Sequence, residues 1–176
     1  MKIYAETERL ILREIVVEDT GQMYLLDSDP LVHKYLGNKP IKCMGKARAY
    51  VDYIRMQYEK YGIGRWAAVE KSTGEWIGWT GLKMNFEEPM NGHSNYYDIG
   101  YRFMPQYWGK GYATESSIVA KDYFFENFPG QKLCGLAEIE NIASCRVLEK
   151  IGLQAKNDFL YSKEDVMIRW FELEKE

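Results

Sequence analysis

The sequence predicts one mixed α/β domain over residues 1–176, in the order strand, helices, three strands, helix, strand, helix, two strands. Apolar spacing switches along the chain between two-residue alternation and a helical period. Turn-forming pairs such as Asp29-Pro30, Asn91-Gly92 and Pro129-Gly130 punctuate those segments. The composition, 46% hydrophobic and 28% charged, is that of a chain that folds around a core. A chain of this length removes roughly 70% of its unfolded surface from water on folding.

Residues 9–16 alternate partly and read as the first strand. Residues 18–28 have helical spacing at Met23 and Leu26, and Asp29-Pro30 stops them. A longer helix follows over 46–61, with Tyr50, Tyr53, Ile54, Tyr58 and Tyr61 as its apolar and aromatic positions and Gly62 at its end. Two β runs, 66–70 and 76–83, flank Lys71-Ser72-Thr73-Gly74, a hairpin-turn composition. After the Asn91-Gly92 turn come a strand over 96–103, a helix over 112–128, a strand over 132–139 and a helix over 141–151 that Gly152 ends. The tail, 153–173, holds two more strands around 161–165.

Twenty-three Lys and Arg against 26 Asp and Glu give a net charge of −3. That argues against a nucleic-acid partner, which calls for a basic excess to displace phosphate counterions. Cys43, Cys134 and Cys145 cannot all pair, no C-x-x-C occurs, and there are only two histidines, so no metal site is expected. Met1 to Leu10 carries Lys2, Glu6, Glu8 and Arg9 and does not read as a signal peptide. No apolar run approaches the roughly 20 residues that span a bilayer, so no membrane partner and a cytoplasmic location are expected.

The most informative segment is Tyr97-Asp98-Ile99-Gly100-Tyr101-Arg102-Phe103-Met104-Pro105-Gln106-Tyr107-Trp108-Gly109-Lys110-Gly111-Tyr112-Ala113. A strand ends at Pro105 and a helix opens after Gly111. Two glycines at a helix mouth let bare backbone N–H groups approach an anion, and the helix N-terminus adds partial positive charge. Such a loop suits a pyrophosphate, or is simply a strand-to-helix turn. It is neither a Walker loop, since Gly111 follows Lys110, nor a dinucleotide fingerprint, since position 114 is Thr114.

Gln106-Tyr107-Trp108-Gly109-Lys110-Gly111 resembles the Q/R-x-x-G-x-G/A signature of the GNAT family of N-acetyltransferases. Asn141-Ile142-Ala143-Ser144-Cys145-Arg146-Val147-Leu148-Glu149-Lys150-Ile151-Gly152-Leu153 is similar to a later helix of that family. Glu6-Thr7-Glu8-Arg9-Leu10-Ile11-Leu12-Arg13 resembles the opening of its ribosomal-protein N-terminal acetyltransferase subgroup. The resemblance covers essentially the whole chain. It implies a mixed, mainly antiparallel seven-strand sheet flanked by helices and splayed between its fourth and fifth strands, with acetyl-CoA in the gap. It implies that Gln106, Trp108, Gly109, Lys110, Gly111, Tyr112 and Ala113 bind the pyrophosphate. By the same pattern Tyr101, Phe103 and Met104 pair with the pantetheine arm, and Asn141 holds that arm or the neighbouring strand.

The resemblance also directs the Ser144 hydroxyl at the coenzyme sulfur; without it, Asn141 reads as a helix cap and Ser144 as polar helix surface. Many relatives carry a general-acid Tyr four residues before the helix-ending Gly, and that position is Leu148 here. Asp98 is named as the base that takes the substrate proton, with Glu138, Glu140 or no base as alternatives. Its alternation places it opposite Tyr97, Ile99 and Tyr101. His33 reads as a surface or satisfied histidine and Cys145 as a packed thiol. The expected activity is direct acetyl transfer from acetyl-CoA to a primary amine, on a small molecule or a peptide N-terminus, by a monomer or homodimer. The alternative is a non-catalytic acyl-CoA-binding module.

Overall fold

The computed structural model describes residues 1–174. Its sheet has eight strands in the order β1-β2-β3-β4-β5-β6-β8-β7. They are β1 Ile3–Glu6, β2 Leu10–Glu14, β3 Arg65–Glu70, β4 Trp76–Asn85, β5 Tyr96–Phe103, β6 Leu133–Glu138, β7 Gln154–Tyr161 and β8 Val166–Leu173. Four α-helices flank it: α1 Thr20–Ser28, α2 Met44–Tyr61, α3 Tyr112–Asn127 and α4 Ile142–Lys150.

The sheet has one strand more than the seven expected. The addition is β1, which pairs antiparallel with β2 through Ile3↔Arg13, Ala5↔Leu12 and Glu6↔Ile11. It is an edge strand, where exposed charges are tolerated and protect against further pairing. Lys2, Glu6 and Glu8 therefore mask it in the sequence. The other elements fall within a few residues of their expected limits. The first helix begins later, at Thr20, after a 3-10 turn over Val17–Asp19.

All neighbouring strands are antiparallel except β5 and β6, which run parallel. That pair is joined only at Tyr97↔Leu133 and Asp98↔Cys134. From Ile99 onward β5 has no partner on that side among the described residues, so the splay lies between β5 and β6. On one face of the sheet, Leu10, Leu12, Trp66, Ile99, Phe103, Phe124, Leu148 and Phe171 form the core beneath α3 and α4. On the other, Ile15, Met23, Leu26, Val51, Ile54, Ala67 and Trp79 pack beneath α1 and α2. Each fully buried side chain of this size contributes roughly 1.5–3 kcal/mol by leaving water. The two cores fix both halves of the sheet and leave the gap between β5 and β6 framed on two sides.

Candidate active site

Beyond Phe103 the chain makes one 3-10 turn over Pro105–Tyr107 and then turns into α3. Gly109 and Gly111 take φ of +70° and +85°, a left-handed backbone that side chains strongly disfavour. Gly111 is the N-cap of α3, and no side chain caps that helix. The first-turn amides of a helix have no intrahelical partner, and Gly109 and Gly111 put no side chain of their own beside them. This cradle fits a pyrophosphate.

The loop is held from three directions. Trp108 Nε1 donates to the Phe103 carbonyl at 2.7 Å, folding the indole back on the strand end. Tyr107 and Tyr112 donate to Glu75 and Glu70 of the β3–β4 hairpin. Arg9 donates from Nη1 to the Lys110 carbonyl at 2.9 Å and lies over the Tyr112 ring at 4.2 Å. Glu115, in the first turn of α3, holds Arg9 through its Nε at 2.7 Å and also accepts from Thr7 Oγ1 at 2.5 Å. The Arg9–Glu115 clamp was not legible as such in the sequence. Its trace is the Thr7-Glu8-Arg9 segment, which carried only a resemblance.

The remaining expected cofactor residues are placed as follows. Gln106 and Lys110 are exposed or nearly so, with Lys110 Nζ 5.3 Å from the Tyr107 ring. Ala113 is half-buried in the first turn of α3. Met104 donates its N–H to Ile77 O at 3.0 Å, so the β5 edge that faces the gap is the stretch before it. Across the gap, Asn141 Oδ1 accepts from the Ser144 N–H at 3.1 Å and caps α4. Tyr101 reaches over from β5, and its hydroxyl donates to the Ser144 carbonyl at 2.7 Å. Leu148, one turn further along α4, is sealed in the core against Gly135.

Asp98 lies on the opposite face, as its alternation predicts, and its Oδ1 accepts from Arg65 Nη2 at 2.8 Å. Arg102 pairs there with Asp27 at 2.6 Å, and both guanidinium groups lie 5.1 Å from the Trp79 ring. His33 is buried rather than on the surface; burial and Arg102 hold its imidazole below the ordinary value. At the end of β6, Glu138 buries Oε1 with no hydrogen-bond partner among the described residues. Burial pushes its pKa up, and Glu164 and Glu140 add to the rise. A cavity of about 240 Å³ lies beside it, lined by Glu138, Ile139, Glu140, Asp165, Val166 and Met167. Glu140 itself is exposed.

Neither buried cysteine is primed as a nucleophile. Burial raises the Cys145 thiol and takes Cys134 up to about 12. No group of three His, Cys, Asp or Glu side chains among the described residues is arranged to hold a metal ion.

The chain matches the acetyltransferase (GNAT) domain family over residues 9–154. It is 32% identical over 148 residues to an uncharacterized N-acetyltransferase, p20, of Bacillus licheniformis, covering 84% of this chain and 80% of that protein. An acetyltransferase from Salmonella typhimurium that modifies the N-terminal serine of ribosomal protein L7/L12 has the same fold, with a TM-score of 0.79 at 14% identity over 99% of this chain and 100% of that one. A Vibrio cholerae spermidine N-acetyltransferase, solved with CoA and spermine, superposes with a TM-score of 0.73 at 15% identity over 95% and 96% of the two chains. Family match, relatives and fold agree with the glycine loop at the head of α3: the chain belongs to the GNAT acetyltransferase family and is an acyltransferase.

Proposed function

We propose that the chain is a single-domain, acetyl-CoA-dependent N-acetyltransferase that moves the acetyl group directly to a primary amine. The observation that carries this reading is the bare cradle at Gly109 and Gly111, set at the end of the strand that parts from its neighbour after Asp98. The amides over 109–113 hold the pyrophosphate, and the free edge of β5 at Tyr101 and Phe103 pairs with the pantetheine arm. That arrangement leaves the thioester in the gap beside Ser144. A peptide or protein N-terminus is the favoured acceptor, supported by the opening segment over 6–13. The acidic lining of the cavity at Glu138, Glu140 and Asp165 suits any cationic amine.

For the acceptor's proton we assign Glu138 rather than Asp98. Asp98 already neutralises Arg65, and protonating it strands a buried guanidinium. Glu138 has an unshared buried oxygen, on the same sheet face as Asp98, and a raised affinity for a proton. One N–H of the ammonium breaks and its proton passes to Glu138. The freed nitrogen attacks the thioester carbonyl, an N–C bond forms and the C–S bond breaks. The nitrogen's second proton reaches the departing sulfur through the Ser144 hydroxyl, and the amide keeps the third.

With no activated thiol at the gap, transfer is direct and no acyl-enzyme forms. Catalysis then rests on positioning and on donors aimed at developing charge. We place the protein in the cytoplasm; among the described residues no helix is long and apolar enough to cross a membrane. The test is thiol release from acetyl-CoA with a panel of N-terminal peptides, polyamines and amino sugars. Turnover with peptides bearing a free N-terminus and none with N-blocked peptides is the expected result. Binding of acetyl-CoA without turnover of any amine returns the chain to a non-catalytic module.

A further inference from the structure

We propose that Tyr101 is the positioning residue of the leaving-group side: it holds the Ser144 hydroxyl aimed at the departing sulfur, a task for which α4 itself supplies no partner. The inference rests on the acetyl-CoA reading above. The phenol has one hydrogen, and donates it to the Ser144 carbonyl at 2.7 Å. The second contact, 3.0 Å between Tyr101 Oη and Ser144 Oγ, is therefore made with the serine as donor. Among the described residues Ser144 Oγ has no other hydrogen bond.

A serine inside a helix ordinarily turns its hydroxyl back onto the carbonyl four residues earlier. Ser144 is the third residue of α4, so the carbonyl four back, Glu140 O, lies before the N-cap and accepts from the Ile142 N–H; the phenol supplies the acceptor that the helix lacks. The next turn of α4 offers nothing comparable, because Leu148 is 1% exposed and packed against Gly135. Tyr101 comes instead from the strand, at the point where β5 has lost β6. When negative charge builds on sulfur, Ser144 Oγ–H turns from Oη to it. The phenol hydrogen then swings from the Ser144 carbonyl to Oγ, which completes the chain phenol, serine, sulfur. Burial raises the Tyr101 pKa, outweighing the opposite effect of its bond to Ser144, so the phenol keeps its proton throughout.

The test needs no acceptor amine. Coenzyme A is bound to the protein and its thiol is titrated by the ultraviolet absorbance of the thiolate. A hydrogen bond to a charged acceptor is worth enough to move that midpoint by about one pH unit, or roughly tenfold in the equilibrium. Ser144→Ala and Tyr101→Phe should each raise the midpoint by about that amount, and the double variant no further than Ser144→Ala alone. Coenzyme A affinity within about twofold of wild type, and an unchanged fold by circular dichroism, show that the cradle is intact. A Tyr101→Phe midpoint equal to wild type while Ser144→Ala moves overturns the inference, and so do additive shifts. Failure of the wild-type chain to bind coenzyme A overturns the underlying reading and this inference together.

Discussion

The guanidinium of Arg65 lies across Gly100 and closes on Asp98, with Nη2 2.8 Å from Oδ1 and Nη1 2.6 Å from the Gly81 carbonyl. A Cβ on Gly100 would stand 2.8 Å from Nη2, so the ion pair exists because that position carries no side chain. Both side chains are largely buried, 8% and 16% exposed. Removing one partner of such a pair leaves an uncompensated charge, at a cost of about 3–5 kcal/mol.

Asp98→Asn should therefore destabilise the fold by about 3 kcal/mol in urea unfolding. The double variant Arg65→Met, Asp98→Leu should lose less than Asp98→Asn alone, because no charge is stranded. A loss below about 0.5 kcal/mol for Asp98→Asn, the size of an ordinary surface change, would show that Arg65 finds water or another acceptor.

At the glycine cradle, Gly111→Val should weaken acetyl-CoA binding by at least about tenfold. A β-branched residue resists a φ of +85°, and its Cβ would stand 3.4 Å from Arg9 Nη2, against the clamp that holds the loop. The measurement is calorimetric binding, with a melting curve to confirm that the variant is folded. Unchanged affinity in a folded Gly111→Val protein removes the pyrophosphate from this loop.

Arg9→Met tests the clamp. It releases the Lys110 carbonyl and leaves Glu115 with the Thr7 hydroxyl and the Arg9 backbone N–H. The expected result is a KM for acetyl-CoA raised about 2–10-fold, the worth of one or two hydrogen bonds, with kcat nearly unchanged. A fall in kcat at constant KM would mean that Arg9 acts on the reacting centre and not on the loop.

The glycine loop and the capping asparagine were legible because local rules dictate them, whereas the parting of the sheet came from the family resemblance alone. Gly109 and Gly111 announce a backbone that other residues resist, and Asn141 sits where a helix needs a cap. Contacts between distant segments were not legible. Arg9 meets Glu115 across 106 positions, and Arg65 meets Asp98 across 33. A periodic pattern reports which face a residue occupies, and not which partner waits there. Asp98 was accordingly placed on the correct face, while the cation that occupies its carboxylate had no sequence signal. Tyr101 was similarly read for its backbone, and only the fold brings its hydroxyl to Ser144.

The proton acceptor gives the sharpest pH prediction. The folded state pushes the Glu138 pKa above the ordinary carboxylate value, through burial first and then Glu164 and Glu140. Folded protein thus holds this proton more tightly than unfolded chain. The contribution to stability is complete below the unfolded glutamate value of about 4.3 and is lost as pH rises through the folded pKa. Glu138→Gln should consequently melt higher than wild type at neutral pH, and the margin should vanish on acidification. Activity follows the opposite limb: kcat/KM rises with pH as Glu138 becomes a carboxylate able to accept the ammonium proton. Glu138→Gln should abolish that limb and lower kcat about 10²–10⁴-fold, the usual worth of a general base. Asp98→Asn should keep the limb at its wild-type position despite its loss of stability. A limb that survives Glu138→Gln and moves with Asp98→Asn would return the role to Asp98. A profile unchanged in both variants would mean that the amine arrives already neutral.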